Sequence, residues 1–177
     1  MADTAGSLIT AFDYVWERFT GRLDGLTDEE YFWEPVPGCW SLRQHADGSW
    51  QLDGREGAAA GPAPVTTIAW RTCHLAGQNL GGFAEMRFGS AGPAEAGFPS
   101  RTAALPAFLS EQYSRWRDGM TGLSAAGWEA PLGPSWGPYA ESNTVDLALH
   151  VLDELIHHGA EVGLLRDLYL HRSEAFS

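Results

Sequence analysis

This chain predicts an all-α fold, a four-helix bundle with long Gly- and Pro-rich connecting loops, and three observations predict it. Four segments place their apolar residues at alternating three- and four-residue steps, the period of a helix with one buried face. No segment carries convincing strand alternation. The stretches between the four, 35–64, 89–100 and 124–142, are rich in Gly, Pro and Ala, and Gly and Pro interrupt regular structure. With 177 residues and 44% hydrophobic side chains, the chain is expected to form a single domain, 1–177, around a proper core.

The first helix is marked by the stripe Leu8, Phe12, Val15/Trp16, Phe19 and Leu23, and Gly25 is a plausible stop. Thr27-Asp28-Glu29-Glu30 then opens a short helix with a capping-type start. Pro62 and Pro64 precede Thr66, which is expected to cap the second helix, running to about Phe88. The third begins near Thr102. Its Pro106 fits only in the first turn, where the backbone N–H has no helical partner anyway. Leu105, Leu109, Tyr113, Trp116, Met120 and Leu123 supply its buried stripe. The fourth starts at Asn143 or Thr144 and continues to about Leu170, with apolar residues around most of its circumference, so it is expected to be the most buried. The connection 35–64 is long for a compact domain, and loops of that length often serve as lids. It holds Trp40, His45, Trp50 and Arg55, and a small hairpin at Asp47-Gly48 or Asp53-Gly54 is conceivable.

Charge narrows the function. Eleven basic side chains, all Arg, face 23 acidic ones, a formal charge of −12. Such a surface repels phosphate backbones and anionic membranes, so nucleic-acid and membrane partners are not expected. Cys39 and Cys73 belong to no CxxC pair and read as small buried hydrophobes. Cys73 beside His74 suggests nucleophilic catalysis, but adjacent helical residues point about 100° apart. Met1 to Ser7 carries no signal-peptide pattern and no apolar run approaches bilayer length, which together predict a cytoplasmic protein.

The chemistry concentrates in the fourth helix. Glu154 and His158 stand four apart, so their side chains emerge one turn apart on one face, with Cβ atoms roughly 5–6 Å apart. A carboxylate and an imidazole so placed can close on one divalent ion at about 2.0–2.2 Å each. Advancing about 100° per residue, His150, Glu161, Glu154 and His158 form one contiguous polar strip, with Asp153 and His157 at its edge. A polar strip on a buried helix has to be paired, hydrated or metallated. Taken alone, Glu154 and His158 read first as an ordinary ion pair, and His74 in the second helix as a core histidine. His150 and His157 read as a helix-face hydrogen bonder and a surface histidine.

Three runs shift that balance. They are Trp33-x-Pro35 followed by Gly38-Cys39-Trp40-Ser41-Leu42, then Thr67 through Leu75 with its Trp70-Arg71-Thr72-Cys73-His74, and last Glu154-Leu155-Ile156-His157-His158-Gly159-Ala160-Glu161. Together they resemble the DinB-like (YfiT-like) superfamily of metal-binding four-helix bundles, over nearly the whole chain. The resemblance implies that His74 and His158 are metal ligands and that Glu154 is the third, at a position where many members carry histidine. One histidine plus a Glu-x-x-x-His pair looks like the mycothiol-dependent maleylpyruvate isomerase type. That implies a divalent ion, Zn²⁺ or Ni²⁺ first, with open coordination positions for water or a low-molecular-weight thiol of the mycothiol or bacillithiol kind. The expected function is therefore a metal-dependent transferase or hydrolase acting on a small molecule. Arg71 and Arg55 are candidates for steering an acidic substrate. Trp40, Trp70 and Trp136 are candidates for walling the site, although each reads first as core. The alternative is a non-catalytic bundle, with a homodimer as one form of it, that binds a small ligand or partner and no metal.

Overall fold

The computed structural model describes residues 3–54, 64–90, 92 and 97–172. Four rods carry the fold. The first is α1 (Thr4–Gly21), capped by Asp3, whose carboxylate accepts from the Gly6 N–H. It stops earlier than Gly25: Arg22 closes it, and Leu23 packs on the core from the turn, where Gly25 adopts a φ of +71°. Thr27 caps α2 (Asp28–Tyr31) as its sequence predicts.

The second rod begins at Thr67 rather than Thr66. Thr67 Oγ1 accepts from the Trp70 N–H, whereas Thr66 forms a parallel bridge with Trp40. This rod consists of α3 (Ile68–Cys73), a π-helical segment (His74–Gly81) and α4 (Gly82–Phe88), ending on the left-handed Gly89. The π segment was not expected from the apolar period. Its wide turns carry Gly77 and Gly81 against the third rod; a Cβ at Gly81 would collide with the Gln112 side chain.

The third rod, α5 (Leu105–Thr121), follows a 3₁₀ turn (Thr102–Ala104) and holds Pro106 in its first turn. The connection 124–142 contains α6 (Ala125–Glu129) and a second 3₁₀ turn (Pro134–Tyr139). The fourth rod is α7 (Thr144–Leu170). Asn143 accepts from the Val145 and Asp146 N–H groups while Asp146 accepts from the Asn143 N–H, a reciprocal capping box.

Packing closes the rods into a ring. α1 lies on α5 and α7, α5 on the π segment and α4, and α7 on α3 and the π segment. Phe12, Trp116, Met120, Leu75, Leu80, Val151, Leu155 and Val162 fill the centre. Each such side chain contributes roughly 1.5–3 kcal/mol by leaving water. No helix among the described residues is long and apolar enough to cross a membrane.

The one departure from an all-helical reading lies in the long connection. β1 (Leu42–Gln44) and β2 (Trp50–Leu52) pair antiparallel in the register Leu42 with Leu52 and Gln44 with Trp50. The turn falls at Asp47-Gly48, where Gly48 has a φ of +85°, a value that favours glycine. Three-residue strands are too short for alternation to show in sequence. Leu42 and Leu52 bury themselves on the helices and so dock the hairpin beside α3.

Candidate metal centre

His74, Glu154 and His158 come together between the second rod and α7. His158 Nε2 stands 3.1 Å and His74 Nε2 3.6 Å from Glu154 Oε2. The two imidazoles meet edge to face, with ring centroids 5.0 Å apart. Helical period alone delivers Glu154 and His158 to one face. His74 arrives from the opposite rod because α7 packs on α3 and the π segment. His158 is buried and the other two are half-buried.

The outer partners set which nitrogens face inward. His74 Nδ1 lies 2.6 Å from Gln78 Oε1, an oxygen that can only accept, so Nδ1 carries the proton and Nε2 is left with its lone pair. His158 Nδ1 lies 2.7 Å from Glu161 Oε2, with the same consequence. Burial lowers the His158 pKa, reinforced by the nearby Arg71 and His74 and opposed by Glu161, so the ring is held neutral. Two imidazole lone pairs and a carboxylate oxygen therefore point at one another.

Asn79 supplies the one amide that meets them. Its Nδ2 donates to His74 Nε2 at 3.2 Å and to Glu154 Oε2 at 3.3 Å. Asn79 is buried, and sequence reasoning missed it. In a regular α-helix, five residues advance the chain by about 500°, which would leave Asn79 about 140° from His74. The π geometry stacks residues five apart and brings it beneath the histidine. A polar residue in an apolar run was the available signal.

The donor set fits a divalent ion. Ligand pairs of a tetrahedral ion bound at 2.0–2.2 Å are separated by roughly 3.4 Å, and the two measured edges bracket that value. The three ligand atoms all lie within 4.8 Å of one another. His157, His158 and Glu161 form a second group with the same closeness, but Arg71 Nη1 sits 2.9 Å from Glu161 Oε2 and brings positive charge where a cation would go.

That pairing also relocates Arg71. Its side chain is 17% exposed, and Nη1 lies 2.9 Å from both Glu161 Oε2 and His158 Nδ1. Nδ1 is already a donor, so the guanidinium bonds the carboxylate and the short contact to the ring follows from sharing it. Arg71 neutralises the residue that orients His158. Its place here is behind His158, a candidate ligand, with its charge engaged by Glu161.

Trp70 stacks on His74 with centroids 4.6 Å apart and planes 19° from parallel, and its indole N–H donates to the Asp53 carbonyl at 3.0 Å. The hairpin thereby fixes the wall of the site. Trp40 stands one ring further out, 5.9 Å from Trp70. Trp136 and His150 lie elsewhere, against Phe83. Arg55 lies outside the described residues. His157 is exposed and pairs with Glu161 at 3.3 Å. Cys73 is fully buried, its sulfur 3.4 Å from the Tyr31 hydroxyl; burial pushes its thiol up to about 12, so it stays protonated at neutral pH.

A family model described as the DinB superfamily matches residues 11–47 and 51–162. No curated protein and no solved structure matches the chain at a significant level.

Proposed function

The chain belongs to the DinB superfamily, and from that premise we propose that it is a divalent-metal-binding protein acting as a metal-dependent transferase or hydrolase on a small molecule. One observation carries the reading: three acceptor atoms, His74 Nε2, His158 Nε2 and Glu154 Oε2, converge in a half-buried site where acceptors exceed donors. Asn79 meets two of the three, His158 Nε2 faces the Glu154 carboxylate with no donor between them, and a cation there would satisfy all three together.

His74, Glu154 and His158 would hold the ion, Zn²⁺ or Ni²⁺ by the mixed N/O donor set. When bound, such an ion supplies Lewis acidity and lowers the pKa of a coordinated water or thiol. Gln78 and Glu161 fix the two imidazoles in the ligating tautomer. Arg71 holds Glu161 in place. Trp70 shields one face of His74 from water. Three protein ligands leave coordination positions open, as catalytic sites do. The resemblance of one histidine plus Glu-x-x-x-His to the mycothiol-dependent maleylpyruvate isomerase type is what supports a low-molecular-weight thiol of the mycothiol or bacillithiol kind as co-substrate.

Elemental analysis of protein purified without an affinity tag tests the metal. Close to one ion per chain is expected in the wild type, and a large loss in His74→Ala and His158→Ala. Wild-type protein that stays metal-free after incubation with Zn²⁺ and Ni²⁺ sinks the reading. Assay of the loaded protein with low-molecular-weight thiols and electrophiles, alongside hydrolysable esters and amides, then separates transfer from hydrolysis.

A further inference from the structure

A cavity of about 570 Å³ continues the same interface beyond the ligand cluster. Phe83 and His150 form its walls, joined by Trp136 and Tyr139 from the 3₁₀ turn and by Asp146 from the start of α7. On α7, His150 is four residues before Glu154; on the second rod, Phe83 is four residues after Asn79. Four residues of regular helix rise about 6 Å, so His150 stands one turn from Glu154 on α7. On the second rod the chain leaves the π segment between Asn79 and Phe83, and the edge-on contact of Phe83 with His150 at 5.9 Å sets the two walls facing each other along the interface that carries the candidate ligands.

The lining is selective by its chemistry. Phe83 and Trp136 lie 5.7 Å apart at 30° and make one aromatic surface, with the His150 ring edge-on at 5.9 Å from Phe83. Tyr139 adds a third π face, 66% exposed at the mouth. The formal charge in the lining is the Asp146 carboxylate: Oδ2 accepts from the Asn143 N–H, and Oδ1 accepts no bond among the described residues. Among the described residues, no arginine lines the cavity. Aromatic faces attract cations, more strongly the better they are desolvated, and an adjacent carboxylate adds to that attraction. A net charge of −12 raises the local concentration of cations and repels anions.

We propose that this cavity is the seat of a small organic cation, a protonated amine on an apolar or aromatic body, held by Phe83, Trp136, Tyr139 and Asp146 with its free end toward Glu154. The inference deepens the metal-dependent reading by naming the substrate class, and it rests on that reading only for the direction in which the ligand points. It also turns away from acidic substrates, since Arg71 is engaged with Glu161.

Calorimetric titration of the full chain with benzylamine, benzyl alcohol and benzoate, in metal-free and Zn²⁺-loaded protein, tests it. Benzylamine should bind both forms at least ten-fold more tightly than benzyl alcohol, and benzoate should not bind. Trp136→Leu should weaken benzylamine ten-fold or more. Asp146→Asn retains an acceptor for the Asn143 N–H, and it should remove the preference for amine over alcohol in a chain whose far-ultraviolet circular dichroism remains that of the folded wild type. Benzoate binding as tightly as benzylamine overturns the proposal. So does amine binding that needs Zn²⁺ and ignores Trp136→Leu, which would mark ligation to the ion. A chain that takes up no metal yet shows the amine preference keeps the cavity assignment and loses the metal one.

Discussion

The interface between α1 and α5 and the interface between the second rod and α7 belong to one ring of helices, yet they settle their polar groups differently. Between α1 and α5, aromatic rings fill the inside: Phe12 meets Trp116 at 6.0 Å, and Trp16 stacks on Tyr113 at 4.2 Å with planes 5° apart. Polar groups stay at the rim, where Asp13 accepts from Arg117 at 2.7 and 2.8 Å and from the Tyr113 hydroxyl at 2.6 Å. The rim pairs are satisfied within the chain, while the buried Trp116 indole N–H has no partner among the described residues. Between the second rod and α7 the polar groups lie inside, and at the His74–Glu154–His158 cluster the acceptors outnumber the donors that Asn79 supplies. The first interface pairs its charges at the rim; the second sets two imidazoles and a carboxylate against one another inside.

The largest effect that could break this contrast lies on the dry side. Trp116→Ala should cost about 3–5 kcal/mol in urea unfolding, because the ring sits fully buried between Phe12 and Phe88 and leaves a cavity. A cost under about 1 kcal/mol would mean the aromatic half is not where stability resides. On the wet side, Zn²⁺ at one hundred times its Kd should raise stability by about 2.7 kcal/mol, read as a thermal shift that vanishes in His158→Ala. An equal shift in the variant would place the ion elsewhere. Smaller still, Glu161→Gln and Arg71→Met leave the three ligands intact and should weaken metal affinity about ten- to hundred-fold in a chelator competition. Unchanged affinity would remove Glu161 and Arg71 from the support of His158.

The smallest effect is a pH dependence at the rim. The hydrogen bond from Arg117, with that from Tyr113 and the Arg117 charge, holds the Asp13 carboxyl below its ordinary range, against a modest effect of burial. A carboxyl lowered by folding stabilises above its unfolded pKa, and that contribution disappears as pH falls through the lowered value. Wild type should therefore lose stability in acid with a component that Asp13→Asn lacks. Identical acid titrations of the two proteins would show that this exposed pair adds nothing measurable.

Much of this was legible beforehand. The apolar period located all four rods, Thr27 and Asn143 announced their helix starts, and Pro106 fell in the first turn where its missing N–H is harmless. The spacing of Glu154 and His158 followed from helix geometry alone. The hairpin was legible only through Asp47-Gly48, since Leu42–Gln44 and Trp50–Leu52 are too short to alternate. Thr66 and Thr67 both suit a cap, and the choice fell to the Trp40 bridge that takes Thr66. Arg71 looked available for a substrate because its partner, Glu161, is 90 residues away on another rod.

Sequence by itself determined whatever repeats within a few residues: the rods, their caps, and the carboxylate and imidazole one turn apart on α7. Periodicity is a local property, and backbone hydrogen bonding enforces it wherever the residues permit. The approach of His74 to that pair, the π turn that swings Asn79 beneath it, and the capture of Arg71 by Glu161 were decided by tertiary structure. These depend on where two rods cross and on how wide one turn becomes when glycines let α5 press close, and packing settles both only when the whole ring closes.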